Sequence, residues 1–326
     1  MHRPIPLLII TLVTPGLIPL PAPAGDKPQA HVNQVELGIG QVSDDAYRFG
    51  RYNGLQKQGP YAIGDINARG SGEDDRFWRL RGTNLGLESR YLRLDAGVRG
   101  RQAYFFEYDQ LPNYKDDTGR TPFLGIGDAT LTLPDGFDIN TNLDANLRSV
   151  ELETERKRLG LGAAFTSRKY WKLDVAYQHE TKDGTDQRGS SIANGAQGLV
   201  GNTTAALLPE PVDFTTNMVD VALNYAKDNA QLQLAYHMSL FDNDEFALTW
   251  EDPFFPQRYG SQALAPDNQF HQLALTGAYL LPYRSRISGT FSLGRMTQDQ
   301  NFQPYTVNPA LDSGLPRASL DGEVWV

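Results

Sequence analysis

Apolar and polar side chains alternate in repeated segments of about ten residues, and this period-two pattern constrains the fold more than any other feature. The clearest segment spans residues 230–241. Its apolar face consists of Leu232, Leu234, Tyr236, Met238 and Leu240. Residues 170–180 and 218–226 repeat the pattern, and weaker copies bring the number of segments to about twelve, with hardly a helical pattern between them. The sequence therefore predicts an all-β chain.

The length of these segments indicates a membrane environment. Strands of soluble sheets typically have about 5 or 6 residues, whereas a strand tilted across a bilayer needs about 9 to 11. Aromatic residues stand near the ends of the apolar faces, at Tyr170, Trp171, Tyr225 and Tyr279, as in an interfacial girdle. We predict a transmembrane antiparallel β-barrel of the outer-membrane type, with about 12 strands in this chain.

The connections support the same architecture, because outer-membrane barrels join their strands by short turns at one end and by longer loops at the other. Tight turns are predicted at Ser167–Lys169, Lys227–Asn229 and Leu281–Tyr283. Long loops are predicted at Leu111–Leu147, Thr181–Thr215, Asp242–Asn268 and Asp299–Arg317. The glycine-rich stretch Asn53–Asp75 does not fit, since it is long but falls where a short turn is due. An inward fold or an extra hairpin would account for it.

The N-terminus predicts export to the outer membrane of a Gram-negative bacterium. An apolar run, Pro6–Leu20, is followed by Ala22-Pro23-Ala24, the order of a secretory signal peptide. Pro15 and Pro19 interrupt the run, which is too short for a spanning helix. We assign residues 1–24 to a cleaved signal peptide and residues 25–326 to the barrel.

Composition excludes several classes of function. The chain contains no cysteine, which removes disulfides, thiolate metal sites, iron–sulfur clusters and Cys-x-x-Cys-His haem attachment. Its net charge of −9 comes from intermixed acidic and basic residues, so there is no basic stripe for nucleic acid. Charged residues recur throughout the chain after Gly25, which excludes helical membrane spans.

The polar faces of the strands supply the candidate site residues. We expect Lys172, Asp174, Gln231, Gln233 and His237 to face the barrel lumen, while the apolar faces contact the lipid bilayer. His237, beside Ser239, is the best candidate for a hydrolase, but no acid–base motif surrounds it and an ordinary wall residue is the favoured interpretation. The prediction is a non-enzyme with no catalytic, cofactor or metal residue of its own.

Glycine and aspartate motifs have simpler explanations than ligand binding. Asp116–Gly119 and Asp183–Asp186 lack the spacing of a calcium loop and are expected to be solvated loop tips. Gly38–Gly40, Gly125–Gly127 and Gly160–Gly162 do not continue into a phosphate loop. Glycine pairs on strands leave room for curvature or for close packing inside the barrel.

Several short sequence motifs resemble those of the MtrB/PioB family of decahaem-associated outer-membrane barrels. The resemblance extends, with the motifs in the same order, from about Val35 to the last residue. The motifs are Tyr47–Leu55, Gly82–Leu87, Tyr108–Pro112, Gly119–Phe123, Asn268–Phe270, Arg284–Ile287 and Gln298–Thr306. The resemblance implies a porin-like sheath around a periplasmic multihaem c-type cytochrome, for electron transfer across the outer membrane. An extracellular cytochrome is a further candidate partner, and the haem belongs to the partner.

The chain departs from the family in two ways. It lacks the Cys-x-x-Cys found near the mature N-terminus of some relatives, so no redox role is carried over. It is also much shorter than family members, and we expect residues 25–326 to be an incomplete barrel, part of a larger one. The alternatives are a general diffusion porin and a barrel hydrolase. A diffusion porin would have the same physical features as a sheath but not the sequence motifs of the family.

Overall fold

The computed structural model describes residues 8–12, 33–167, 170–193, 203–255, 257–283, 285–304, 307 and 322–325. Strands dominate these residues, and a single-turn helix, α1, spans Leu143–Asn146. The strands are β1 (Leu8–Leu12), β2 (Gln34–Val42), β3 (Gly59–Ser71), β4 (Arg76–Thr83), β5 (Tyr91–Val98), β6 (Gln102–Thr121), β7 (Thr130–Leu131), β8 (Arg148–Ser167), β9 (Trp171–Ala193), β10 (Thr203–Lys227), β11 (Ala230–Asn243), β12 (Ala247–Glu251), β13 (Tyr259–Ala263), β14 (Asn268–Leu281), β15 (Ser285–Gln298) and β16 (Gly322–Trp325).

One antiparallel sheet contains most of these strands. Its 13 strands follow the chain in order, β1 to β6, β8 to β11 and β14 to β16. The remaining strands form a 3-stranded sheet in the order β13, β12, β7. The predicted all-β antiparallel architecture is confirmed, with a strand number close to the predicted one. Within the described part of the chain, helices are too short and too polar to cross a bilayer.

The first strand lies inside the predicted signal peptide. β1 pairs with β2 from Leu8 opposite Gln41 to Leu12 opposite Leu37, and the rest of residues 1–24 lies outside the described residues. Cleavage after Ala24 therefore stays a prediction. Cleavage would leave the edge of β2 to another strand, because lipid offers no hydrogen-bond partner to an open edge.

Short and long connections alternate along the main sheet, as predicted. The short connections join strand ends at one end of the sheet, called here the turn end: β3 to β4, β5 to β6, β8 to β9, β10 to β11 and β14 to β15. The longer connections join strand ends at the opposite end, called here the loop end: β2 to β3, β4 to β5, β6 to β8, β9 to β10, β11 to β14 and β15 to β16. The alternation follows from the antiparallel order of the strands and is typical of outer-membrane barrels.

The stretch Asn53–Asp75, for which an inward fold and an extra hairpin were both open, contains a strand. β3 occupies Gly59–Ser71 within it and pairs with both β2 and β4. Glycines interrupt the apolar alternation there and have low strand propensity, which hid the strand. Once β3 is counted, only residues 72–75 remain at the turn end, and the parity of the connections is regular.

Three other predicted loops are partly strands. Thr181–Thr215 contains the outer parts of β9 and β10, and Leu111–Leu147 contains the end of β6. Asp242–Asn268 contains the β12–β13 hairpin. Most of Asp299–Arg317 lies outside the described residues. Because these strands extend beyond the reach of the bilayer, nothing imposes a regular apolar face on them.

The loop end has a hydrophobic core of its own. The 3-stranded sheet packs on the outer part of β9 and β10 through Phe123, Leu131, Ile192, Leu208, Leu248, Trp250 and Leu264. Leu208 is 1% exposed, whereas its neighbour Leu207 is 70% exposed, so only one face of the hairpin is covered. Ile192 and Leu208 occupy even-numbered positions of these strands, and the unbroken register places them on the same face as Lys172 and Asp174.

Ion pairs reinforce this part of the structure. Arg188 donates to both carboxylate oxygens of Glu210 at 2.7 Å, a bidentate arrangement. The Lys115 ammonium lies 2.6 Å from Asp186. Burial alone would raise the pKa of Asp186, but the hydrogen bond from Lys115 holds that pKa below its usual value.

A carboxylate cluster at the loop end makes its stability depend on pH. Burial, followed by repulsion from Asp213, Asp128 and Asp244, raises the pKa of Glu245. A raised carboxyl pKa favours folding below the unfolded-state pKa, and this contribution disappears as the pH rises through the folded-state pKa. Glu245→Gln should therefore stabilise the loop-end core at pH 7 by less than about 1 kcal/mol, with little effect near pH 4.

Hydrogen exchange of the β12 and β13 amides, corrected for intrinsic rates across this pH range, measures the effect. Glu73→Gln, in the exposed turn at the other end, is the control. Faster exchange in Glu245→Gln at pH 7 would contradict the expectation.

Candidate functional site

The register of the main sheet sorts its residues onto two faces, because directly opposite residues of an antiparallel pair lie on the same face. One face, the belt face, carries rows of apolar residues. One row crosses six strands through Phe165, Leu173, Leu223, Leu234, Leu275 and Phe291. Leu234 is 42% exposed and Phe291 70% exposed. A continuous exposed apolar surface is costly in water and is typical of strands that contact lipid.

The length of the belt face suits a bilayer. On β11 it runs from Leu232 to Leu240, which is about 27 Å along the strand at roughly 3.4 Å per residue and agrees with the roughly 9 to 11 residues that a strand tilted across a bilayer needs. The next row toward the loop end is polar. It consists of Gln110, Lys157, Thr181, Thr215 and Asp242.

Aromatic residues cluster where the belt face ends at the turn end. The Trp171 and Tyr225 ring centroids are 4.7 Å apart, and the Lys227 ammonium lies 5.2 Å from the Tyr170 ring centroid. Tyr279 is half exposed on the same face. These positions agree with the predicted interfacial girdle, in which aromatic rings and basic groups meet the membrane surface.

The opposite face, the polar face, carries all five residues predicted from the alternation: Lys172, Asp174, Gln231, Gln233 and His237. Three strands are linked there by hydrogen bonds. Lys172 pairs with Asp174 at 2.5 Å, Asn224 Nδ2 donates to Asp174 at 3.0 Å, and Gln233 Nε2 donates to Asn224 at 2.8 Å. The polar side chains are therefore held by one another across the wall.

His237 belongs to a different pair on the polar face. Its Nδ1 lies 2.7 Å from Asp220 Oδ1 on the neighbouring strand. Ser239 lies two residues further along the same face, and within the described residues no hydrogen bond joins it to His237. The arrangement that a serine nucleophile needs is not assembled, so the hydrolase alternative gains no support.

A row of small residues crosses the polar face next to these pairs. It comprises Gly97, Ala103, Ala164, Ala222, Ala235, Ala274 and Ser292, with Asp174 between Ala164 and Ala222. We call it the small-residue row. A cavity of about 330 Å³ lies over it and reaches from Arg93 on β5 to Ala274 on β14. The polar face is therefore recessed along a line that spans several strands.

An ion-pair network borders the recess on the loop-end side. The Arg93 guanidinium contacts Asp95 at 3.0 Å and Glu107 at 2.7 Å, and Arg158 contacts Asp109 at 3.1 Å. Sequence reasoning missed this network, because its members are distant in the chain and meet only through the register of β5, β6 and β8. Fully paired charges on one wall favour a fixed, preorganised surface.

The glycine motifs have structural roles. A side chain at Gly162 would lie 2.1 Å from the Phe105 ring, so this glycine provides the close packing that was predicted. Gly125 and Gly127 have φ values of +78° and +92°, which glycine adopts readily in turns. Close packing and turn conformation therefore explain these glycines without phosphate binding.

The aspartate motifs were placed wrongly, since Asp116 and Asp183 lie within β6 and β9 and not at loop tips. Asp116 accepts a hydrogen bond from Thr118 Oγ1 at 2.7 Å, and a register shift next to it marks a bulge. The part of the chain that the structure describes brings together no group of three or more His, Cys, Asp or Glu suited to a metal ion.

Comparison with known families matches most of the chain to one model. Residues 41–326 match the family described as "Putative outer membrane beta-barrel porin, MtrB/PioB". The predicted resemblance is confirmed, and with it the predicted transmembrane antiparallel β-barrel fold. The description names a porin and no enzymatic activity.

Three individual proteins are among those similar to the chain. The chain is 28% identical over 302 residues to outer membrane protein MtrB of Shewanella baltica (strain OS185), covering 89% of this chain and 41% of that protein. OmpT of Vibrio cholerae is 10% identical, with a TM-score of 0.36 over 90% of this chain and 80% of OmpT. The import receptor Fiu of Escherichia coli K12 has a TM-score of 0.37, 10% identity, and coverage of 89% of this chain and 45% of Fiu.

Proposed function

The chain belongs to the MtrB/PioB family of outer-membrane β-barrel porins, and from this premise we propose that it forms part of a sheath around an electron-carrying protein. The enclosed protein is a periplasmic multihaem c-type cytochrome, which carries the haem. The chain supplies the insulating wall and reaches the outer membrane of a Gram-negative cell through a cleaved signal peptide. The chain spans 41% of the MtrB relative, so the wall built by this chain is part of what encloses the partner.

The small-residue row is the observation that carries this proposal. A wall that only borders water has no need of small residues along one line across several strands, whereas a wall packed against a solid partner does. Small side chains let another surface come close to the backbone, and close packing contributes dispersion energy over the whole contact. The belt face would then contact lipid, and the polar face, including Lys172, Asp174, Gln231, Gln233 and His237, would line the lumen.

The loop-end core favours a sheath over the alternative, a general diffusion porin. Its 3-stranded sheet packs on the same face of β9 and β10 that carries Lys172 and Asp174. If this face lines the lumen, the 3-stranded sheet lies over the mouth of the barrel and narrows it. Free diffusion requires an open mouth, whereas a partner enclosed from the periplasmic side does not.

Site-specific photo-cross-linking tests the proposal. A photoreactive residue at position 233 or 237, on the polar face, should capture a haem-staining protein in intact outer membranes. The same residue at Leu234, which faces the opposite side of the same strand, is the matched control and should capture lipid only. If cross-linking from positions 233 and 237 captures no haem-staining protein, and small sugars pass through the purified protein, the sheath proposal is wrong and the chain forms a general diffusion porin.

A further inference from the structure

Arginines on three neighbouring strands face one another on the polar face. Arg69 of β3 lies directly opposite Arg79 of β4, and Arg81 of β4 lies directly opposite Arg93 of β5. Like charges at directly opposite positions of a sheet repel each other. Two such pairs lie side by side on β3 to β5.

The nearby carboxylates are already engaged. Asp95 lies opposite Arg79, but its oxygens accept hydrogen bonds from the Arg93 guanidinium. Glu107 pairs with Arg93 at 2.7 Å and lies 3.7 Å from Arg158. The Arg93 guanidinium also lies 4.4 Å from the Phe105 ring centroid. The charge of Arg93 is therefore neutralised by Asp95 and Glu107, and these carboxylates do not pair with Arg79 or Arg81.

Arg79 and Arg81 lack the carboxylate contacts that several other basic residues of this face make. Both are exposed. Within the described residues, neither arginine side chain forms an ion pair or a hydrogen bond. Arg156, Arg158, Lys172 and Arg188, on the same face, each contact a carboxylate. Arg79 and Arg81 thus present positive charge without a counter-charge from the wall.

The position of these arginines limits what could neutralise them. Through the register, the row of Arg79 continues into Asp95, Phe105, Gly162 and Ala176. On the opposite face that level of β9 lies between Val175 and Tyr177, within the belt face. Lipid phosphates lie at the edges of the apolar band, not at its middle and not on the polar face.

We propose that Arg79 and Arg81 form a binding patch for carboxylates on the surface of the protein that the barrel encloses. The inference rests on the proposed sheath and adds the chemistry of the contact: an acidic patch of the partner meets β3–β5 of the wall. Arginine suits this role because its planar guanidinium binds a carboxylate in a bidentate manner. Binding would supply the counter-charge that the described residues of the wall do not give Arg79 and Arg81, so the partner orients itself against this sector.

Charge reversal separates this role from a structural one. Arg79→Glu/Arg81→Glu should reduce retention of the haem protein about tenfold at moderate salt, which is a common effect of reversing interface charges. Arg79→Gln/Arg81→Gln should show a smaller loss of retention. Freed of the partner, this neutral variant should unfold at an unchanged temperature, because neither arginine side chain makes an ion pair with the described residues of the wall.

Arg76→Glu is the matched control. Arg76 lies on the same strand and is exposed, but faces the side of Trp78, so retention should be unchanged. A photoreactive residue at position 79 should cross-link to a partner peptide rich in Asp and Glu, which distinguishes a protein carboxylate from a small free anion.

The outcomes keep the two proposals apart. If the unmodified chain retains no haem protein, the sheath itself fails. If it does, and the charge-reversed variant retains the haem protein equally well through a salt series, the patch is overturned. A lower unfolding temperature of the partner-free Arg79→Gln/Arg81→Gln variant would also overturn it, since the arginines would then serve the stability of the wall.

Discussion

Leu234→Arg is expected to impair assembly of the barrel, whereas Gln233→Arg, one residue away, is expected to be tolerated. Leu234 lies between Leu223 and Leu275 in a row of the belt face and is 42% exposed on that apolar surface. An arginine at the middle of the bilayer costs about 2–4 kcal/mol in a transmembrane barrel. Gln233 lies on the polar face, where its side chain hydrogen-bonds to Asn224, and an arginine there stays hydrated.

The midpoint of heat-induced unfolding in detergent, followed by the gel mobility of the folded form, measures this difference. Leu275→Arg on the neighbouring strand should reproduce the loss seen with Leu234→Arg. Equal midpoints for the variants at positions 233 and 234 would contradict the assignment of the two faces.

Sequence reasoning succeeded where lipid imposes a pattern. Strands such as β11 must present an apolar residue at every second position within the bilayer, and this requirement is visible in the sequence itself. The same alternation assigned Lys172, Asp174, Gln231, Gln233 and His237 to one face, and the register confirms that they share it. The short turns followed from the gaps between strong segments.

Sequence reasoning failed where no such pattern is imposed. The outer parts of β9 and β10 lie beyond the bilayer, so they were taken for loops, although they pair without interruption. β3 carries glycines in place of alternating apolar residues, and it was missed for that reason. Both errors come from using the lipid-imposed pattern as the only evidence for a strand.

The arrangement of the candidate site also depends on register. The small-residue row requires that Ala103, Ala164, Ala222 and Ala235 occupy the same level of four strands, and a one-residue slip in any strand would move its residue to the other face. The same holds for Arg93 with Glu107 and for Arg69 with Arg79. Isolated alanines and arginines in the sequence carry no information about these alignments.

Ala235→Trp should abolish the fit of the partner while leaving the barrel assembled. Ala235 lies between Ala222 and Ala274, under a cavity of about 330 Å³, so an indole ring has room in the wall alone but would project into the space of the partner. Overpacking of a well-fitted contact costs about 1–3 kcal/mol, which corresponds to a roughly 5- to 150-fold loss of affinity. Retention of the haem protein and electron transfer across the outer membrane should fall together.

Tyr236→Trp is the control for Ala235→Trp, because Tyr236 lies on the belt face and one aromatic side chain there is replaced by another. It should leave both the partner and electron transfer unaffected.

The two proposed functions predict different results for Ala235→Trp. A sheath whose small-residue row contacts the partner loses it when the row is filled, whereas a diffusion porin would keep its function and show only a reduced flux of small sugars. Ala235→Trp with full retention of the haem protein would mean that the small-residue row does not contact the partner, and the observation that carries the sheath would be lost.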